Sequence, residues 1–141
     1  MRKKRKGFTI IELLVVVIIL GMIAAIIIPR IGKRFGKAKH SLAKTKMAII
    51  DGALVEFQVD CGRFPDDSEG LEVLIVAPGD VEEKWDGPYL KRSELIDTWD
   101  NPYIYVEEGV INPGSYDLIS FGADGVEGGE EGTENADIYN D

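Results

Sequence analysis

The chain has 141 residues and a formal net charge of −9 at pH 7, but its charges are divided unevenly. Residues 1–46 contain 12 Lys and Arg against one acid, whereas residues 47–141 contain 4 against 24 acids. A chain of this length can hold one small domain. The acidic distal part argues against a nucleic-acid partner, because phosphate binding requires a basic face.

The first predicted element is an apolar run from Phe8 to Ile28. At about 1.5 Å per residue the run is about 30 Å long, the thickness of a hydrocarbon core, so residues 8–29 are predicted to form a transmembrane helix. A secretory signal would be shorter and would end in a small-x-small cleavage site. A core helix of a soluble domain would carry a polar face, which this run lacks. Basic residues flank the run on both sides, so their count does not orient it.

One carboxylate, Glu12, interrupts the apolar run. A charge in the middle of a bilayer-facing helix costs about 2.5–3.5 kcal/mol on insertion scales. Such a residue persists only where something compensates its charge, so we expect Glu12 to have a partner.

Residues 30–61 are predicted to continue the helix as an amphipathic segment. Apolar residues recur there at steps of three, four or seven and form one predicted stripe, which needs a covering domain: Ile31, Phe35, Ala38, Leu42, Ile49, Ala53 and Phe57. Pro29, Gly32 and Gly36 lie at the junction with the apolar run. Because proline removes a backbone hydrogen bond and glycine adds flexibility, we expect a kink or a weak point there.

Residues 62–141 are predicted to form a compact globular part, called the head below. DDSEGLEVLIVA predicts a short helix of two or three turns that ends before Pro78. YIYV (103–106) and SYDLISF (115–121) alternate as strands do, and the turn-rich EEGVINPG between them predicts a hairpin. A long helix, a short helix and then antiparallel strands make an α+β fold.

These segments resemble a known family. KG/FTIIELLVVVIILGMIAAIIIP is similar to the signal segment of type IV pilins, with a short basic leader, Gly7, the aromatic Phe8 and Glu12 four residues later. In the head, GRFPDDSEGLEVL, WDGPYLKRSE, DTWDNPYIYV, GSYDLISFGADG and EGGEEGTENADI resemble, in order, segments of the major pseudopilins of type II secretion systems. The resemblance covers nearly the whole chain and implies a pilin-like fold, in which the long helix packs on the head.

The resemblance implies that a prepilin peptidase removes residues 1–7 by cutting between Gly7 and Phe8, and methylates the new amine of Phe8. Glu12 would then pair with the N-terminus of a neighbouring subunit and select correct assembly into a filament. The alternative is that Glu12 pairs with its own N-terminus or with a water defect. The implied partners are further copies of the chain, minor pseudopilins, the peptidase and an inner-membrane assembly platform, with a single membrane span and the head in the periplasm.

A second candidate site is the C-terminal loop, residues 122–137, which contains six carboxylates and five glycines. Calcium takes 6–8 oxygen ligands, so these acids could share a cation, but the spacing is not that of an EF-hand. On composition alone a disordered acidic tail is equally compatible. The family resemblance implies a calcium site formed by Asp124, Asp137, the backbone carbonyl of Phe121 and the carbonyl of Glu134.

The chain departs from that family pattern at two places. Tyr139-Asn140-Asp141 stand where the family has a tryptophan, and Thr98 and Asp100 stand where it favours Pro and Gly.

No motif indicates an enzyme. The chain lacks a GxxxxGK[ST] phosphate loop, its one cysteine, Cys61, allows no internal disulfide, and its one histidine, His40, lies in no ligand pattern. We interpret Cys61 as a small packed side chain and His40 as a solvated one.

Three hypotheses remain open at this point. The first is a pseudopilus subunit that drives protein export, with calcium as its cofactor. The second is a type IV pilus subunit for adhesion or DNA uptake, which the missing cysteine pair disfavours. The third is an uncleaved, membrane-anchored binding domain.

Overall fold

The computed structural model describes residues 7–140, with the exception of the side chains of residues 29–35. The predicted leader, residues 1–7, therefore lies outside the described residues except for Gly7. The chain divides into two compact units, Met1–Phe35 and Gly36–Asp141. This boundary lies a few residues after the predicted end of the transmembrane helix at residue 29.

One helix, α1, runs from Ile10 to Cys61 and covers both predicted helical segments. The helix continues through Pro29, so the expected weak point at the junction does not end the helix. In the first unit, Ile10–Ile28 is long and apolar enough to cross a membrane, and none of it is buried. An apolar helix that its own chain leaves uncovered suits a lipid environment, where apolar side chains need no protein cover.

In the second unit, α1 contributes one buried face at steps of three and four residues: Ala43, Met47, Ile50, Leu54, Phe57 and Cys61. The predicted stripe is right for Ala53 and Phe57, which are buried, and wrong for Ala38, Leu42 and Ile49, which are exposed. Its first two members, Ile31 and Phe35, lie outside the described side chains. Leu42 and Ile49 each precede a buried residue by one position, about 100° around the helix, so only the position of the head decides which apolar set is covered.

The predicted short helix is shorter than expected. The structure has a 3-10 helix at Gly70–Leu74, which buries Leu71, Val73 and Leu74 in the core. Asp66 Oδ1 accepts hydrogen bonds from the amides of Ser68 and Glu69. The same residues would have formed the first turn of the longer predicted helix, so the hydrogen bonds to Asp66 compete with that helical turn. A second 3-10 helix spans Arg92–Glu94.

Three antiparallel strands complete the α+β fold, in the order β1 (Ile104–Val106), β2 (Asp117–Ser120) and β3 (Ile138–Tyr139). The predicted hairpin of β1 and β2 is confirmed, with Ile104 opposite Ile119. The two-residue β3 was not predicted, because it is too short to show alternation. Ser120 pairs with Ile138, so Phe121 and Asp137 are the next residues beyond the sheet on adjoining strands.

Candidate functional site

The start of α1 is closed by a reciprocal pair of hydrogen bonds. The Thr9 amide donates to Glu12 Oε2 at 3.2 Å, and the Glu12 amide donates to Thr9 Oγ1, also at 3.2 Å. The Thr9 hydroxyl donates to the same carboxylate at 3.1 Å. Thr9 precedes Ile10, the first helical residue, so this is a capping box in which two otherwise unpaired amides are satisfied.

The carboxylate of Glu12 therefore has a partner inside its own chain. The sequence signal for this pairing is T-x-x-E at Thr9 to Glu12, and the predicted partners of Glu12 did not include Thr9. Gly7 and Phe8 are exposed, Phe8 by 80%, and the cleavage between them stays a prediction. The predicted contact of Glu12 with a neighbouring subunit is not tested by a single chain and stays a prediction.

Hydrogen bonds join the two halves of the C-terminal loop. The Ala123 amide donates to the carbonyl of Glu134 at 2.8 Å. The Gly128 amide donates to Asp137 Oδ2 at 2.8 Å, and the Asp137 amide donates back to the Gly128 carbonyl at 3.2 Å. Two of the predicted ligand positions, Glu134 and Asp137, are thus tied to the first half of the loop.

Two glycines allow these halves to approach closely. A Cβ on Gly122 would lie 2.6 Å from the Glu134 carbonyl oxygen, and one on Gly129 would lie 2.0 Å from the Asn135 carbonyl oxygen. Both glycines have positive φ, +63° and +86°. A side chain at Gly122 would therefore displace the predicted ligand carbonyl of Glu134, and one at Gly129 would displace the neighbouring carbonyl of Asn135.

Asp137 contributes a buried carboxylate oxygen to the loop. Asp137 Oδ1 is buried and has no hydrogen-bond partner among residues 7–140. Asp124 is exposed, and its Oδ1 accepts a hydrogen bond from the Val126 amide at 3.3 Å. A buried carboxylate oxygen normally has a partner, so this one fits a hard cation, which binds carboxylate and carbonyl oxygens.

No group of three or more His, Cys, Asp or Glu side chains is placed to hold a metal in the part of the chain that the structure describes. The predicted calcium set needs only two such side chains, from Asp124 and Asp137, because Phe121 and Glu134 would contribute carbonyls. The calcium site stays a prediction.

Comparison with known proteins identifies the family. The profile described as "Type II secretion system (T2SS), protein G" matches residues 30–141, more than half of the chain. The chain belongs to the type II secretion system protein G family. A second profile, the prokaryotic N-terminal methylation motif, matches residues 2–28 and indicates processing by a prepilin peptidase.

Relatives of the protein G family cover nearly the full length. Type II secretion system core protein G of Pseudomonas aeruginosa is 42% identical over 143 residues, with 99% of this chain and 96% of the relative covered. The protein of the same name from Vibrio cholerae is 39% identical over 144 residues, covering 99% and 95%. The major pseudopilin from the type 2 secretion system of enterohaemorrhagic Escherichia coli superposes with a TM-score of 0.59 at 25% identity, covering 74% of this chain and 87% of that one.

The predicted family and pilin-like α+β fold are therefore confirmed. This protein G family member is a pseudopilin of type II secretion, which favours the first of the three hypotheses over the surface pilus and the uncleaved binding domain. The family is a structural one, and its methylation motif and apolar helix mark a membrane-anchored bacterial protein.

Sequence reasoning missed a turn that supports the C-terminal loop of this pseudopilin. Asp97 is only 2% exposed, and its carboxylate accepts hydrogen bonds from the amides of Trp99 and Asn101. The Asn101 side chain in turn donates to the Gly122 carbonyl at 2.8 Å. No local pattern in the sequence predicts this contact, because it joins residues that are 21 positions apart.

The interpretation of His40 as solvated is wrong, whereas that of Cys61 is confirmed. The His40 ring packs edge-on against Trp99 with 5.3 Å between ring centroids, and its Nε2 is buried. Trp99 lies within the turn that Asp97 holds, so the head covers this histidine. Cys61 is 5% exposed and lies in the hydrophobic core.

Proposed function

We propose that this protein is the major structural subunit of a type II secretion pseudopilus that drives protein export across the outer membrane. The observation that carries the proposal is that both parts of such a subunit occur in one chain: the methylation motif at residues 2–28 and the protein G head. The chain would be cut between Gly7 and Phe8, methylated on Phe8 and polymerised with further copies, with minor pseudopilins as additional partners.

Before assembly, the subunit would cross the inner membrane once, with its head in the periplasm. The uncovered apolar segment Ile10–Ile28 supports a span. A prepilin peptidase and an inner-membrane assembly platform would act on this membrane-inserted pool.

N-terminal sequencing and intact-mass measurement of the membrane-extracted protein test the processing step. We expect a chain that begins at Phe8 and carries one methyl group when a prepilin peptidase is present, and an intact leader when the peptidase gene is deleted. A chain that begins at Met1 or Arg2 in both strains would overturn the filament proposal and restore the uncleaved binding domain. Loss of exported proteins from the medium after deletion of this gene would separate secretion from a surface pilus.

The proposed role of Glu12 is to gate assembly. In the single chain its carboxylate is satisfied by Thr9, and in a filament the methylated amine of a neighbouring Phe8 would compensate the charge inside an apolar environment. Glu12→Gln and Glu12→Ala should therefore abolish or strongly reduce filaments while the protein remains in the membrane. Leu13→Ala, which changes an adjacent apolar side chain without changing charge, is the control. Filaments at wild-type yield in both Glu12 variants would refute this role.

We also propose that the C-terminal loop binds calcium through Asp124, Asp137 and the carbonyls of Phe121 and Glu134. The buried, unpartnered Asp137 Oδ1 supports this proposal. When bound, the cation would neutralise part of the loop's charge and join its two halves. The hydrogen bonds donated by the Gly128 and Ala123 amides already connect these halves.

Thermal unfolding of the full chain in detergent, with calcium and with chelator, tests this site. A ligand that binds only the folded state stabilises it by about 2.7 kcal/mol at a hundredfold excess over its dissociation constant. Asp124→Ala and Asp137→Ala should lose the shift, and Glu131→Ala, which removes an exposed carboxylate of the same loop, should keep it. A wild-type protein that unfolds identically with calcium and with chelator would overturn the calcium proposal and leave the secretion proposal intact.

A further inference from the structure

The turn of residues 97–101 is organised around the buried carboxylate of Asp97. Its Oδ1 accepts hydrogen bonds from the Trp99 amide at 2.8 Å and the Asn101 amide at 2.9 Å, and its Oδ2 accepts the Ser120 hydroxyl at 2.6 Å. The Asp97 amide also donates to the Asn101 carbonyl at 2.8 Å. A carboxylate with this many donors fixes both the turn and the end of β2, where Ser120 lies.

The same turn is anchored to α1 on its other side. Lys46 Nζ donates to the carbonyls of Ile96 and Asp97 at 3.0 and 3.3 Å. The Thr98 hydroxyl donates to the Lys39 carbonyl at 3.2 Å. The turn is therefore held by the helix and the sheet together, which makes it a rigid base for whatever its remaining side chains contact.

Asn101 extends from this base into the C-terminal loop. Its Nδ2 donates to the Gly122 carbonyl at 2.8 Å. Its Oδ1 lies 3.1 Å from the position that a Cβ on Gly125 would occupy. Asn101 thus lies against the loop at Gly122 and at Gly125, on the two sides of the predicted calcium ligand Asp124. Gly122 also directly follows Phe121, which would supply a carbonyl.

We propose that Asn101 is a positioning residue for the calcium site: it holds the segment from Gly122 to Gly125 so that Asp124 and the Phe121 carbonyl are presented to the cation. This inference rests on the calcium site proposed above. Residues that orient metal ligands typically contribute about 10- to 100-fold to metal affinity without touching the metal. Asn101 binds the loop through the Gly122 carbonyl, so its contribution would act through the backbone of the loop.

Calcium titration of the chelator-stripped full chain in detergent, by calorimetry, tests the inference. Asn101→Ala should raise the calcium Kd by about 10- to 100-fold. Asn101→Leu keeps most of the side-chain volume and removes the hydrogen bond to the Gly122 carbonyl, so it should raise the Kd equally. The matched control is Tyr105→Phe, which also removes one hydrogen bond from a side chain to a backbone carbonyl, that of Pro65 at 2.9 Å.

The Tm of each variant in chelator separates positioning from general destabilisation. Both Asn101 variants and Tyr105→Phe should lose a similar, small amount of stability in chelator, but only the Asn101 variants should lose calcium affinity. If calcium binds the wild type and Asp137→Ala abolishes binding, while either Asn101 variant keeps a Kd within about twofold of the wild type, the positioning role is wrong and the calcium site stands. If the wild type binds no calcium, the site and this inference both fall.

Discussion

The loops on the two sides of β2 each fold around an aspartate, and these two aspartates are satisfied differently. In the loop between β1 and β2, both oxygens of the buried Asp117 accept hydrogen bonds, from the amides of Val110, Ile111 and Asn112 and from the Asn112 side chain. In the C-terminal loop, between β2 and β3, Asp137 Oδ2 accepts the Gly128 amide, and Oδ1 has no partner among the described residues.

A loop that supplies donors to both oxygens of its carboxylate is complete in itself, whereas one that leaves a buried oxygen unpartnered favours a bound cation. Both loops contain glycines at close approaches, Gly109 against Asp117 and Gly129 against Asn135. The first loop supplies enough amide donors for its carboxylate, whereas the second leaves one carboxylate oxygen without a partner in the described part of the chain and contains five further acids. We therefore expect the first loop to fold without a cation and the second to gain order when calcium binds.

The largest expected effect is that of Asp117→Ala. The change leaves the amides of Val110, Ile111 and Asn112 without their acceptor, so the free energy of unfolding should fall by about 3 kcal/mol or more. Chemical denaturation in detergent measures it, and the loss should be the same with calcium and with chelator. Glu108→Ala, an exposed carboxylate of the same loop, is the control. A loss that depends on calcium would remove the distinction between the two loops.

Calcium should protect the two loops unequally. At a hundredfold excess over its dissociation constant, calcium should slow amide exchange in the C-terminal loop by up to about 100-fold, which corresponds to about 2.7 kcal/mol. The reporting amides are those of Ala123 and Gly128, and the comparison amides are those of Val110 and Ile111. Hydrogen-exchange mass spectrometry of the full chain resolves both sets, and equal slowing in both loops would contradict the prediction.

Acid should affect the Asp117 loop in a defined direction. Burial by itself raises the pKa of Asp117, but the hydrogen bonds from Ile111, Asn112 and Val110 together outweigh it, and the net pKa is lowered. A lowered folded-state pKa contributes stability that is present above the unfolded value of about 3.9 and is lost as the pH falls through the folded value. As the pH is lowered below about 3.9, the denaturant concentration at the unfolding midpoint in chelator should therefore decrease for the wild type. It should decrease less for Asp117→Ala.

The smallest expected effect concerns the turn beneath the C-terminal loop. Asp100 has a φ of +67°, a left-handed conformation that glycine adopts without strain. Asp100→Gly should raise the free energy of unfolding by about 0.5 kcal/mol, since the relief of strain exceeds the added freedom of the unfolded chain. Asp100→Ala should lower stability instead, because alanine is less tolerant of this conformation. A stabilising Asp100→Ala would contradict the argument from φ.

Much of the fold was predictable because its signals are local. The apolar segment Ile10–Ile28, the strands β1 and β2 and the family resemblance can all be read from neighbouring residues. The Thr9–Glu12 capping box is equally local, although it was not among the predicted features. The three-residue spacing of threonine and glutamate is sufficient to predict it.

Only the tertiary structure decided which residues of α1 are covered and what supports the C-terminal loop. The periodicity of a helix fits more than one apolar stripe, so Leu42 and Ile49 were predicted to be buried although Ala43 and Ile50 are the buried residues. The contact of Asn101 with Gly122 and the pairing of Ser120 with Ile138 join distant positions. By itself the sequence determined the apolar segment, the processing motif and the composition of the loop, because these depend on neighbouring residues; long-range packing determined the rest.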